Sequence, residues 1–209
     1  MTKLVKSDQW ITSGAVRYRP LGSTHQQTGI EIGLDYAKAP VPAHFYFADY
    51  LSVDEDSSQV MFTFGKLDKP VVDRLRSKVE VYFNPFMFVR QFWAQTREMH
   101  TLLQKYVESQ GIIPSEPSKL LEAPKVQTFQ SNNVSIITSE GESLLDFFYL
   151  SPKDVYYRPL KGEKIDIEAL VRVILSPSLL LLLLTQSEPL VGKLLAKYGD
   201  KSNANMESK

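Results

Sequence analysis

Val79-Glu-Val-Tyr-Phe-Asn-Pro85 and Val171-Arg-Val-Ile-Leu-Ser-Pro177 decide how this chain is read. In each, apolar positions recur at every second residue and the run stops at Asn-Pro or Ser-Pro. That pattern marks a strand delivered into a helix start, with Asn or Ser as the N-cap and Pro at the first helical position. The two stretches lie 92 residues apart, and at the same spacing Leu102-Leu-Gln-Lys-Tyr106 falls on Leu194-Leu-Ala-Lys-Tyr198 without a gap. Further upstream the spacing is 83. Ala48-Asp-Tyr-Leu-Ser-Val53 falls on Ser131-Asn-Asn-Val-Ser-Ile136, and Phe62-Thr-Phe64 on Leu145-Asp-Phe147. The difference of nine residues is one insertion within Lys153–Lys164. The chain therefore reads as two diverged copies of one unit.

Each copy has the same local logic. Phe62 and Phe64 alternate with Met61 and Thr63, and Val79, Val81 and Phe83 with Glu80 and Tyr82, as in half-buried strands. Asp54-Glu-Asp-Ser-Ser58 and Ser139-Glu-Gly-Glu-Ser143 read as polar turns, with Gly141 free to take a positive φ. After Pro85 the apolar residues Phe88, Val89, Phe92, Trp93, Met99, Leu102, Leu103 and Tyr106 form a broad helical stripe closed by Gly111. In the second copy Pro189 is expected to kink or split the helix, with Ser187 as a new cap. The expected fold is α+β: two tandem copies of a three- or four-stranded antiparallel meander followed by a helix. The boundaries are an N-terminal extension over 1–42 with an extra strand at Gly29–Asp35, copies at 43–110 and 125–199, a linker at 111–124 and a disordered tail at 200–209.

Composition narrows the function classes. The chain has 209 residues, is 43% hydrophobic, and carries 24 basic and 24 acidic residues. A neutral balance handicaps nucleic-acid binding, which draws on released counterions. With no cysteine, disulfides, thiolate metal sites and thiol catalysis are excluded. Met1–Trp10 has no apolar core of the secretory kind. The run Leu179–Leu184, in an apolar stretch interrupted by Arg172, Ser176 and Pro177, is short of the roughly 20 residues a membrane span needs. It reads as a helix buried on all sides in protein, its far side covered by either the Phe88–Trp93 helix or another chain.

The motifs at the repeat resemble those of a family of small bacterial domains similar to the export chaperone SecB. They are Ala48-Asp49 leading into the first strand, Phe62-Thr-Phe-Gly65 in the second, and Val171-Arg-Val-Ile-Leu-Ser-Pro177 entering the helix. The resemblance covers roughly Ala43–Tyr106 and Gln127–Tyr198. It departs at Phe148, where the second copy would carry Gly, and at the Pro189 interruption. What it implies is a cytoplasmic binding protein that pairs through sheets or helices, with the tandem copies as a pseudo-dimer. It implies no chemistry.

The residues suggest no active site of their own. His25, His44 and His100 are scattered without metal-ligand spacing, and neither a Gly-x-Ser-x-Gly elbow nor a Gly-rich phosphate loop occurs. No enzyme, metal or cofactor is expected. Asp54-Glu55-Asp56 lacks the twelve-residue calcium-loop pattern. The favoured expectation is a protein partner or a second copy, bound through Leu180, Leu183, Phe88, Phe92 and Trp93. The alternative is nucleic acid held by Lys66, Lys69, Arg74, Arg76 and Lys78, a segment that otherwise reads as a solvated connection with a short helical turn.

Overall fold

A computed structural model describes residues 10–23, 26–56, 58–68, 71–111, 121–139, 141–158 and 163–198. The expected disordered tail, most of the expected linker, His25 and Lys69 lie outside the described residues. In chain order the strands β1 (Ile11–Ser13), β2 (Val16–Ser23) and β3 (Gln26–Leu34) come first, then β4 (Phe45–Phe47), β5 (Tyr50–Glu55), β6 (Val60–Asp68) and β7 (Val71–Phe83). A continuous helical run follows: α1 (Pro85–Met87), a π-helical turn (Phe88–Trp93) and α2 (Ala94–Ser109). The second half holds β8 (Val126–Ser131), β9 (Asn133–Thr138), β10 (Ser143–Tyr149), α3 (Pro152–Tyr157), β11 (Glu168–Leu175) and α4 (Pro177–Tyr198).

These elements divide into two compact units that do not follow the copy boundaries. Met1–Val41 joins Tyr149–Ala169 in one, and Pro42–Phe148 joins Leu170–Lys209 in the other. The N-terminal residues thus carry more than the one extra strand expected. In the smaller unit β1, β2 and β3 form an antiparallel sheet. Val16 and Tyr18 pack with Leu150, Val155 and Ile165 from the Tyr149–Ala169 segment, and the Ile165 N–H donates to Ser13 Oγ at 3.0 Å. That segment therefore completes a core that the N-terminal strands lack on their own.

The larger unit holds both copies, and their equivalence is visible residue by residue. Val60 pairs with Glu55 and Ser143 with Thr138, the same register displaced by 83. Pro85 and Pro177 each open a helix. Asn84 Oδ1 accepts from Phe86 N–H at 3.0 Å and Ser176 Oγ from Leu179 N–H at 3.3 Å, satisfying donors that a helix start leaves open.

The first copy makes the expected three-stranded antiparallel meander, β5-β6-β7, but neither sheet stops at one copy's own strands. The two sheets run β5-β6-β7-β8 and β4-β11-β10-β9. The first strand of each copy leaves its own sheet and pairs in parallel with the last strand of the other: β8 on β7, β4 on β11. Glu80 faces Thr128 and Arg172 faces Phe45, twin positions in both exchanges. A parallel pair needs a long crossover connection, and between β7 and β8 the helical run supplies it.

Phe62, Phe64 and Phe83 meet Phe147 from the other sheet at ring-centroid distances of 6.5, 5.7 and 6.0 Å, and Phe62 also meets Phe88 and Phe92 at 5.8 and 4.9 Å. All six rings are fully buried. On the other face of β6, Gly65 is required by packing: a Cβ there would lie 2.7 Å from Leu75 Cδ2 and 2.8 Å from Tyr50 Cδ1.

Three local expectations are corrected. α4 is one helix with Pro189 inside it, so the run is not split there. Ser187 does not cap a second helix; its Oγ donates back to Leu183 O at 2.7 Å. Pro189 and Thr185 are exposed, so the carbonyl left without its usual donor faces water. Gly141 does not adopt a positive φ, whereas Gly111 does, at 65°, ending α2. The Lys66–Lys78 segment is no helical turn, because β6 and β7 extend through most of it as an irregular hairpin.

Phe147→Ala is expected to cost about 3–5 kcal/mol, since it empties the centre shared by both sheets. Gly65→Ala is expected to cost about 1–3 kcal/mol by overpacking. Urea unfolding followed by circular dichroism measures both.

Candidate protein-binding surfaces

The residues expected to meet a partner are mostly inside the chain. Leu180, Leu183, Phe88 and Phe92 have no exposed surface, and Trp93 is only partly exposed. Strand exchange is accompanied by helix exchange: α4 of the second copy lies along β5 of the first, and the π-helical turn meets β9. The leucine helix thus finds its second apolar surface within the chain. One helix, Pro177–Lys197, is long and apolar enough to cross a membrane, and half of its most apolar window is buried in the protein.

The basic segment is also largely committed. Lys66 pairs with Asp49 at 2.9 Å and Lys78 with Glu80 at 2.7 Å. Arg74 and Arg76 are exposed and flank the buried Leu75, so this hairpin gathers no cluster of open cations among the described residues. His44 is exposed with its ring 6.3 Å from Phe129, and His100 lies 3.3 Å from Thr185 Oγ1. No group of three or more potential ligands converges on a metal-sized position among the described residues.

The outward face of the β4-β11-β10-β9 sheet is built around one ion pair. Arg172 on β11 holds Asp146 on β10 through Nε–Oδ1 and Nη2–Oδ2, both at 2.6 Å. The side chains are 20% and 10% exposed. The same guanidinium lies 5.7 Å from the ring centroid of Phe45. The hydrogen bond to Asp146, partly opposed by burial, raises the Arg172 pKa further above its ordinary value. Phe45 and Phe47 stand two residues apart on the edge strand β4, at 55% and 57% exposure. The Leu-Asp-Phe and Val-Arg-Val motifs of the second copy therefore encode a bidentate pair that supports an exposed aromatic edge.

In the first copy the twins of Asp146 and Arg172 are Thr63 and Glu80. The buried Thr63 hydroxyl has no hydrogen-bond partner among the described residues. Glu80 turns instead to Lys78 and to Tyr82, whose hydroxyl donates to it at 2.9 Å. Burial pushes the Glu80 carboxyl up, but these two hydrogen bonds and the Lys78 charge outweigh it and hold the pKa below the ordinary value. Burial, followed by the Glu80 hydrogen bond and charge, pushes Tyr82 up to about 12.

A second surface lies where the copies stop matching. Leu102 on α2 and Leu194 on α4 are twins, yet Leu102 is 68% exposed and Leu194 is 3% exposed. The wider winding of the π-helical turn rotates the helix that follows it, so Leu103 and Val107 turn inward instead. What remains is an apolar groove of about 580 Å³ lined by Met99, Leu102, Leu103 and Tyr106, with Glu98, Thr138 and Ser139 at its margin.

Arg172→Met strands the Asp146 carboxylate and is expected to cost about 3–5 kcal/mol, with Asp146→Leu in the same background recovering part of the loss. An unfolded tyrosine titrates near 10 and Tyr82 at about 12. Between these values the folded chain keeps a proton that the unfolded chain has released. The Tyr82 contribution is full below pH 10 and lost as pH rises toward 12. Tyr82→Phe should flatten that loss in unfolding free energies measured across the range.

Compared with known protein families, with characterised proteins and with solved structures, the chain matches none of them.

Proposed function

We propose that this chain is a non-catalytic protein-binding module of the cytoplasm, chaperone-like or acting as an assembly adaptor. Its architecture on this reading is a tandem SecB-like pseudo-dimer. The observation that carries the proposal is the pair Phe45 and Phe47, each more than half exposed on an edge strand. A soluble protein gains nothing in stability from leaving such rings in water. An edge strand, in contrast, offers backbone donors and acceptors to an added segment, and its alternate side chains select apolar residues. Arg172 keeps the Phe45 end polar enough to remain hydrated while unoccupied. Apolar residues elsewhere fill the core, and α4 serves that core. The nucleic-acid alternative has no comparable support, since Lys66 and Lys78 are ion-paired.

The test is binding of a permanently unfolded polypeptide by the native chain and by the Phe45→Ser, Phe47→Ser double variant. Half-burial of two phenylalanines corresponds to a loss of about tenfold or more in affinity. Binding should change little with salt, because apolar contact rather than phosphate neutralisation drives it. Equal binding by a correctly folded double variant refutes the proposal.

A further inference from the structure

The edge strand β9 is a different surface from the Phe45–Phe47 edge, and we infer that it joins β9 of a second copy of this chain in a two-fold dimer centred on Ile137. The twin edge, β5, shows what a closed edge looks like in this fold. There α4 lies along the strand, and Gln186 Oε1 accepts the outward Val53 N–H at 3.0 Å. Leu190, Val191 and Leu194 are buried, and Lys193 approaches Glu55 at 3.9 Å.

None of this is reproduced at the second half of β9. The residue matching Val53 is Ile136, and the residue matching Gln186 is Ala94, which has no carboxamide to offer. By the shared register, the N–H groups of Ile136 and Thr138 point away from β10 as that of Val53 points away from β6. The π-helical turn meets β9, but α2 packs mainly on α4. The groove beside Thr138 and Ser139 is left open.

The strand is also undefended against its own kind. Exposed edges are ordinarily protected by charge, proline, brevity or a covering element. β5 carries Asp54 and Glu55 and is covered, whereas Asn133-Val-Ser-Ile-Ile-Thr138 is uncharged and free of proline. A two-fold axis sets each residue near its own kind, so a charge here would repel its counterpart; β9 has none.

Antiparallel self-pairing about Ile137 matches Ile136 of one copy with Thr138 of the other, and the reverse, so their outward N–H and C=O groups bond reciprocally. Ile137, 55% exposed and on the face opposite the groove, then meets Ile137 of the second copy in a non-hydrogen-bonded pair, where side chains approach most closely. This dimer does not depend on the Phe45–Phe47 reading.

Light scattering over a concentration series tests it on the full chain, with Ile137→Lys and Ile137→Glu as separate variants. The native chain should be dimeric and each charged variant monomeric. An equimolar mixture of the two variants should recover the dimer mass, because opposite charges then meet across the axis. Recovery also shows that the variants fold. A native chain that is monomeric throughout overturns the inference. So does a dimer that persists in both variants, or a mixture that stays monomeric.

Discussion

The parallel pairing of β8 with β7 and of β4 with β11 is the constraint on which the larger unit depends. Three antiparallel strands and a helix leave each copy with an unfinished sheet. The missing fourth strand comes from the other copy, in matching register on both sides. Because the strands and helices exchange together, the inner faces of both sheets close on one aromatic centre. Phe147 reaches Phe62, Phe64 and Phe83 there. The copies are halves of one core rather than neighbouring domains.

Symmetry in the sequence did not remain symmetry in the surface. Six residues of π-helical winding between α1 and α2 change which side of α2 faces inward, without any insertion relative to α4. The same Leu-Leu pair therefore buries its first member in one copy and its second in the other. Polar positions diverged as well. The Asp146–Arg172 pair has Thr63 and Glu80 as its twins; Glu80 bonds along its own strand, and Thr63 has no partner among the described residues. Function in a duplicated fold is free to settle at surface positions where the copies differ, since a change there leaves the shared core's packing intact.

Much of this was legible in the residues. Alternation in Phe62–Phe64 and Val79–Phe83, the Asn-Pro and Ser-Pro helix starts and the spacings of 83 and 92 all reappear as strands, caps and registers. Strand exchange was not legible, because alternation says which side chains face a core and not whose strand lies alongside. The same blindness misassigned Leu180, Leu183, Phe88 and Phe92. An all-round apolar helix demands a second surface; the residues offered the Phe88–Trp93 segment or another chain, and only topology adds β5. Phe45 and Phe47 went unnoticed because a three-residue strand is too short for its period to register. Their signal was the Arg172 opposite Phe45, and that needs the parallel register to be seen.

The exchange also sets an order of events during synthesis. β4 is made well before β11, which among the described residues is its neighbour in the sheet. Val16 and Tyr18 likewise wait for Leu150, Val155 and Ile165. Contacts of such long sequence separation close slowly and leave their strands open meanwhile. A growing chain can build β5, β6 and β7 as they appear, but it holds β4, with Phe45 and Phe47, unpaired until β11 is made. For that interval the growing chain has an apolar strand with nothing yet made to pair with it.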